Sequence, residues 1–259
     1  MHMNHQIAEM TDGPAHGAGM AGLARDLSAP RPLQAGPLRA ELAGGGLRHV
    51  RYGGIEILRS LAFVVRDGEG EKCMAEPGDI DVRQEVGRFE VFCDAVSVCE
   101  GRSLAWRVRI LGTAHGLNLA AWACTRGGIG RGGSAGAGLE ILYPGQGLAG
   151  RSIQVEHVDG SIVQTVMPEP DALLHAMSGL RTITHEPAPG LRVGCCLEGA
   201  NFQMQGQGRG SQGVFRLRPQ PAMAHGPSPW GDGRTLVQMA CLVFGRPDDA
   251  PQALARDTL

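Results

Sequence analysis

The sequence predicts an all-β fold, a large two-sheet antiparallel β-sandwich with one or two short helices. Segments of alternating apolar and polar residues recur along the chain, glycine-rich turns separate them, and only one stretch of the body has helical spacing. The chain of 259 residues has the length of one large sandwich. We expect a flexible arm over residues 1–32, the sandwich over 33–246 and a C-terminal tail over 247–259.

The first strands are predicted to form a meander joined by glycine turns. Residues 38–42 and 47–52 alternate on either side of a run of three glycines, and a longer apolar segment follows the next glycine pair. The segment 104–110 has the clearest pattern, because every second residue is apolar and the arginines between them face the other way. Strand patterns of this kind continue to residue 244, so a sandwich is favoured over a helical fold.

A hairpin around Asp159-Gly160 combines a strong structural pattern with side chains capable of chemistry. Asp-Gly between two strands indicates a two-residue turn, which would pair His157 with Ile162. In that register His157 points toward the core, Glu156 points to the wetter side, and Asp159 is largely explained by the turn itself. His157 is then either a structural histidine or an acid, base or ligand of a site.

The chain after this hairpin predicts a short helix and a second histidine. Apolar residues within 167–180 fall at helical spacing, which indicates one or two turns. The segment R-T-I-T-H-E then alternates as a strand, with His185 on one face and Glu186 on the other. We expect His157 and His185 to approach each other across the sandwich.

Composition argues against several classes of protein. The net charge of -2 provides no basic surface for nucleic acid, and no apolar run approaches the roughly 20 residues of a membrane span. The seven cysteines have no CxxC spacing and lie mostly in strand patterns, which indicates buried, reduced thiols. Since no export signal is visible either, the expected location is cytoplasmic.

Two glycine-rich segments offer further contacts to a ligand. Residues 126–138 have the composition of a phosphate loop, but a strand follows them instead of a helix, so a mobile loop is the better interpretation. Arg126 at its start is a candidate contact for an anionic ligand. Trp230 lies in a Pro- and Gly-rich segment and is the best candidate for stacking on a ligand, because Trp106 and Trp122 fit core positions.

Several of these segments together resemble the N-terminal β-sandwich domain of the D-apionate lactonase family. The resemblance covers about residues 33–244 and rests on Y-G-G-I-E-I-L-R, L-E-I-L-Y-P, E-H-V-D-G-S, R-T-I-T-H-E and L-E-G-A-N-F-Q-M. It implies a galactose-mutarotase-like supersandwich and a sugar-acid lactone as the substrate class. Family members continue into a barrel domain and a further domain, whereas this sequence ends after its sandwich. The family's acidic, Asn- and Trp-containing segment is also replaced here, by residues 203–218.

Two classes of function follow from the resemblance and the candidate residues. In the first, the chain acts on a carbohydrate or sugar-acid lactone through histidine acid/base catalysis, as a hydrolase or a mutarotase-like isomerase. The catalytic candidates are His157, His185 and Glu186. The substrate-binding candidates are Arg126, Glu156, Asp159 and Trp230. No cofactor is expected, and although the two histidines and a nearby Glu have the chemistry of metal ligands, nothing in their spacing requires a metal.

In the second class, the chain is a non-catalytic module that kept the fold and lost the chemistry. It would bind a carbohydrate or assemble with a partner, such as a separately encoded barrel-domain chain. No nucleic acid or membrane partner is expected, and a homo-oligomer is left open. Convergence of His157 and His185 in an open cleft would favour the enzyme, and their separation would favour the module.

Overall fold

The protein is described by a computed structural model that covers residues 30–99, 102–126, 136–173, 176–220 and 235–245. The predicted tail and nearly all of the predicted arm lie outside these ranges. Strands account for 74% of the described residues. The strands are Arg31–Ala35 (β1), Leu38–Ala43 (β2), Gly46–Tyr52 (β3), Ile55–Arg66 (β4), Ala75–Glu85 (β5), Arg88–Cys99 (β6), Arg102–Thr113 (β7), Gly116–Arg126 (β8), Gly136–Pro144 (β9), Ser152–His157 (β10), Ile162–Val166 (β11), Met177–Ala188 (β12), Leu191–Glu198 (β13), Phe202–Gln207 (β14), Val214–Pro219 (β15) and Thr235–Gly245 (β16).

The strands form one curled antiparallel sheet. Their order is β1-β2-β3-β4-β9-β15-β14-β12-β13-β16-β8-β7-β6-β5, with β10 added to β12 and β11 added to β10. The sheet folds back so that its two halves face each other, which places Phe63 of β4 against Trp106 of β7 with ring centroids 5.5 Å apart. Tyr52 of β3 likewise contacts Phe244 of β16, at 5.0 Å. The predicted all-β sandwich is confirmed.

Alternation along each strand decides which side chains fill the space between the two halves. The apolar residues that the β7 pattern assigned to the core are all buried, namely Leu104, Trp106, Val108 and Ile110. On the opposite face of the same strand, Arg107 bonds to Asp94 and Arg109 to Glu90, both on β6. The period of two therefore separates an apolar core from an outer face of ion pairs.

Helical structure in the described ranges is limited to single turns. Gly145–Leu148 forms one α-helical turn (α1), and 310 turns lie at Pro170–Ala172 and Gly210–Gln212. Of the one or two helical turns predicted within 167–180, the described residues show one 310 turn at Pro170–Ala172, and the prediction is wrong from Met177 onward, where β12 begins. Met177 pairs with Met204 of β14, so tertiary strand pairing overrides the helical spacing. No helix in these ranges is long and apolar enough to cross a membrane.

The cysteines depart from the expectation that all are reduced. Cys73 and Cys99 form a disulfide with their Cα atoms 5.6 Å apart. Cys93 and Cys195 are buried thiols, and burial raises the pKa of Cys93 to about 11 and that of Cys195 to about 12. Sequence spacing gave no indication of the disulfide, because the curled sheet brings the end of β6 beside the loop that follows β4.

Candidate functional site

The hairpin of β10 and β11 forms, but its register differs by one residue from the predicted one. Glu156, and not His157, lies opposite Ile162. The backbone N–H of His157 donates to the carbonyl of Ser161 at 2.9 Å, so the connecting loop is longer than a two-residue turn. Gly160 has a φ of 84°, in the left-handed region that closes a three-residue hairpin loop. The predicted pairing is wrong because this longer loop adds a residue between the strands.

His157 is half-buried at the end of β10 and does not point into the core. The pairing of β10 with β12 shifts between Glu156 and His157, which ends the regular alternation there. His157 Nδ1 lies 3.0 Å from the carbonyl oxygen of Ser178, and since a carbonyl only accepts, Nδ1 carries the proton. The expected inward orientation of His157 is wrong, and its ring nitrogen makes a bond that ties the hairpin to β12.

His185 lies in the core with only 3% of its surface exposed. Its ring packs edge-on against Tyr143, with centroids 5.5 Å apart, and its buried Nδ1 has no hydrogen-bond partner among the described residues. Burial, and secondly the positive charge of Arg151, lowers the pKa of His185 to about 4. The imidazole is therefore neutral at physiological pH and packs as part of the core.

The two histidines do not converge. His185 lies opposite Ile153, whereas His157 lies opposite Leu180, so four residues of β10 separate their positions along the strand. That spacing is roughly 13 Å at the usual rise of a strand. The expected approach of His157 and His185 is wrong, and within the described ranges no group of three or more His, Cys, Asp or Glu side chains could hold a metal.

The remaining predicted site residues are scattered. Glu156 pairs with Arg181 at 3.5 Å. Asp159 Oδ1 accepts hydrogen bonds from the hydroxyl and from the backbone N–H of Ser161, and these bonds lower the pKa of Asp159. Glu186 is exposed while its neighbour His185 is buried, as the strand alternation predicted.

The side chains of two substrate-binding candidates lie outside the described structure. Arg126 is the last residue of β8, where its Cα pairs with Ser103, and its side chain lies outside the described structure. Trp230 falls in residues 221–234, outside the described ranges. Both residues stay predictions.

A different group of side chains meets on the outer face of the sheet, across β4, β9 and β15. Glu140 of β9 lies opposite Ala62 of β4, and Ile141 lies opposite Leu217 of β15. Because side chains alternate, Glu140 points away from the core face that holds its neighbours Leu139 and Ile141. We call the group the Glu140 cluster, which comprises Arg66, Lys72, Glu140, Arg216 and Arg218.

Glu140 is the centre of this cluster and is only 4% exposed. Arg66 Nη2 donates a short hydrogen bond to Glu140 Oε2, and Arg216 Nε lies 3.7 Å from the same oxygen. Lys72 Nζ lies 3.6 Å from Glu140 Oε1. One buried carboxylate is thus surrounded by cationic side chains from separate parts of the chain.

The cluster carries more positive charge than Glu140 balances. Burial, and then the positive charges of Arg216 and Arg66, lowers the pKa of Arg218, while Glu140 acts in the opposite direction. Arg218 Nη2 donates to Gln205 Oε1 of β14 at 3.1 Å. The Nε atoms of Arg216 and Arg218 are buried and make no hydrogen bond to the described residues. These donors suit an anion or a polarised carbonyl oxygen.

Sequence reasoning missed this cluster although its parts were visible. The segment L-E-I-L-Y-P holds a single carboxylate in an apolar strand, and V-F-R-L-R-P alternates arginine with buried residues. Either pattern alone indicates an ordinary solvated strand face. Only the pairing of β9 with β15 reveals that Glu140 and the arginines share one face, and that pairing joins residues far apart in sequence.

The comparison with known proteins identifies the family. Residues 19–245 match the family of the D-apionate lactonase N-terminal domain. The chain belongs to this family. It is 33% identical over 196 residues to a D-apionate lactonase of Brucella anthropi, an alignment that covers 74% of this chain and 31% of the relative. The chain therefore spans about a third of the length of that relative.

Solved structures support the fold at low sequence identity. A galactose mutarotase-like protein from Lactobacillus casei superposes with a TM-score of 0.54 at 9% identity, covering 84% of this chain and 100% of that one. A galactose mutarotase related enzyme from Lactobacillus acidophilus gives 0.50 at 9% identity, covering 83% and 97%. The predicted galactose-mutarotase-like sandwich is confirmed.

Proposed function

We propose that this domain binds a sugar acid or a sugar-acid lactone at the Glu140 cluster. The observation that carries the proposal is the excess of cationic donors around one buried carboxylate. The buried Nε atoms of Arg216 and Arg218 make no hydrogen bond to the described residues, although Arg216 Nε lies 3.7 Å from Glu140 Oε2. Arg218 and Arg216 bind the carboxylate or the lactone carbonyl oxygen. Glu140 holds the guanidinium groups in place.

Charge and geometry favour an anionic sugar over a neutral one. A neutral sugar needs donors and acceptors in similar number, whereas arginine and lysine side chains only donate. Bidentate binding of a carboxylate by a guanidinium group compensates its charge and fixes its orientation. Gln205, already bonded to Arg218, supplies a polar side chain beside that group for sugar hydroxyls. The name of the D-apionate lactonase relative is consistent with a ligand of this class.

The proposal assigns binding, and not turnover, to the described residues. The histidine pair that would provide acid and base catalysis does not converge, since His185 is enclosed in the core and His157 bonds to Ser178. The relative is also about three times longer than the aligned segment. The lactonase named for it therefore belongs to a chain of which this domain matches only 31%. A binding module is therefore the function that the geometry supports best.

Isothermal titration with three matched ligands tests the proposal. The panel is an aldonate such as D-apionate or gluconate, the corresponding lactone and the neutral aldose. We expect the aldonate and the lactone to bind and the neutral sugar to bind at least tenfold more weakly. Arg218→Gln should weaken aldonate binding roughly 10- to 100-fold, the equivalent of about 1.5–3 kcal/mol for a hydrogen bond to a charged group.

Arg109→Gln is the matched control. Arg109 also bonds to a glutamate across neighbouring strands, with its Nε 2.8 Å from Glu90 Oε1, but it lies on β7 in the other half of the sheet. Its substitution should leave every affinity unchanged. Equal affinity of the wild type for aldonate and neutral sugar, or equal losses in both variants, would contradict the proposed site. Lactone hydrolysis followed in the same samples separates binding from turnover.

A further inference from the structure

The loop between β4 and β5 is anchored in two ways at the edge of the Glu140 cluster. Its backbone closes a small hairpin, in which Cys73 N–H donates to the carbonyl of Val65 at 2.9 Å and Lys72 forms a β-bridge with Arg66. Its second anchor is covalent, because Cys73 is disulfide-bonded to Cys99 at the end of β6. The disulfide therefore ties the loop to a strand of the opposite half of the sheet.

This loop delivers Lys72, the single lysine of the chain, to the cluster. Lys72 Nζ lies 3.6 Å from Glu140 Oε1, although its side chain is 59% exposed. Arg66 connects the loop to Glu140, because its Nη1 donates to the carbonyl of Gly70 in the loop at 2.8 Å and its Nη2 donates to Glu140. Lys72 thus lies at the solvent side of the cluster, directly before one cysteine of the disulfide.

We propose that the Cys73–Cys99 disulfide regulates the Glu140 cluster by holding Lys72 over it. With the disulfide formed, the loop keeps Lys72 beside Glu140, where its ammonium group adds to the positive field that attracts an anionic sugar. With the disulfide reduced, the loop keeps its hydrogen bonds, including the one from Arg66 to Gly70, but loses its covalent tie to β6, and Lys72 samples positions away from Glu140 more often. This inference rests on the proposed function for its effect on affinity, but its structural part stands on the loop alone.

The switching reaction is thiol–disulfide exchange with a dithiol reductant. A thiolate of the reductant attacks one sulfur of the Cys73–Cys99 bond and forms a mixed disulfide, and the released cysteine leaves as a thiolate that takes up a proton. The second thiolate of the reductant then displaces the other cysteine, so that both cysteines end as thiols and the reductant as a disulfide. Two electrons pass from the reductant to the protein, and the reverse reaction restores the bond.

Two measurements on the oxidised and reduced full chain test the inference. The first is the rate of Lys72 acetylation by an amine-reactive ester, read as the mass of the peptide that contains Lys72, which requires no ligand. We expect reduction to raise this rate at least threefold. The second is the affinity for gluconate by titration. We expect reduction to weaken it about three- to fivefold, the range of an exposed ion pair of up to about 1 kcal/mol.

Variants assign the effect to the disulfide and to Lys72. Cys73→Ser/Cys99→Ser should show the reduced values under both conditions, and Lys72→Met should bind gluconate with one affinity in both. Cys241→Ser, which removes a thiol outside the disulfide, should respond as the wild type does. Thiol alkylation measured by mass confirms the redox state of each sample.

The outcomes separate this inference from the proposed function. If gluconate does not bind in either state but Lys72 acetylation responds to reduction, the proposed ligand is wrong and the loop anchor is supported. If gluconate binds but neither acetylation nor affinity changes on reduction, the non-covalent contacts of the loop are sufficient to hold it and the inference is overturned. An affinity change that persists in Lys72→Met would also overturn it, because the effect would not pass through Lys72.

Discussion

The Glu140 cluster and the two histidines of β10 and β12 are both polar groups on neighbouring strands, yet only one of them is assembled. Around Glu140, the registers of β4, β9 and β15 bring side chains from distant segments onto one face. Around the histidines, the register separates His157 from His185 by four residues and leaves one in the core. The position of a candidate site thus depends less on reactive residues that are close in sequence than on the strand pairing that brings distant residues together.

The largest effect on stability should appear when Glu140 is replaced by a neutral side chain. We expect Glu140→Gln to lower the free energy of unfolding by about 3–5 kcal/mol, because a buried ion pair that loses one partner leaves uncompensated charge. Here that charge is the group of arginines packed around the carboxylate, with Arg66 only 15% exposed. Urea denaturation followed by fluorescence of the tryptophans measures the change.

Glu90→Gln is the control for this substitution. Glu90 also lies between arginines, with Arg109 Nη2 at 2.7 Å and Arg88 Nη2 at 3.6 Å, but both of those arginines are substantially exposed. Water screens their charge, so the loss should stay below about 1 kcal/mol. Similar losses in the two variants would show that the Glu140 cluster is an ordinary surface ion pair, and the proposed anion site would lose its physical basis.

The second largest effect should come from His185 and should depend on pH. Burial lowers the pKa of His185 to about 4 from an ordinary value of 6.5, so between these values the unfolded chain binds a proton that the folded chain does not. Stability from this group is therefore fully present above pH 6.5, falls as the pH is lowered and levels off below pH 4. The whole change is about 3 kcal/mol.

The difference between the wild type and His185→Phe isolates this contribution. Phenylalanine keeps an aromatic ring beside Tyr143 but cannot bind a proton, and the other titrating groups cancel in the difference. The stability of the wild type relative to the variant should decrease as the pH falls from 6.5 to 4. A difference that does not change with pH would show that folding leaves the basicity of His185 unaltered, as expected for a histidine open to solvent.

The fold could be predicted from the sequence because alternation and glycine turns act locally. The core face of β7 and the opposite orientations of His185 and Glu186 follow from the period of two alone. The predicted register of the hairpin is wrong by one residue. An Asp-Gly pair fits both a two-residue turn and a three-residue loop that ends on a left-handed glycine, and the chain adopts the second at Gly160. The Glu140 cluster and the Cys73–Cys99 disulfide depend on the pairing and curvature of the whole sheet, which a single sequence does not reveal.

The smallest effect should follow from His157, the residue around which the sequence suggested chemistry. His157→Ala removes one hydrogen bond to the carbonyl of Ser178 at a half-buried position, so the free energy of unfolding should fall by about 1 kcal/mol or less. His157→Gln keeps a side-chain donor, so its free energy of unfolding should fall by less than that of His157→Ala. The hydrogen bonds described for the Glu140 cluster involve neither β10 nor β11. Gluconate affinity should therefore be unchanged in both His157 variants, whereas Arg218→Gln should weaken it at least tenfold. A comparable loss of affinity in His157→Ala would place the hairpin within the ligand site and remove the contrast between the two regions.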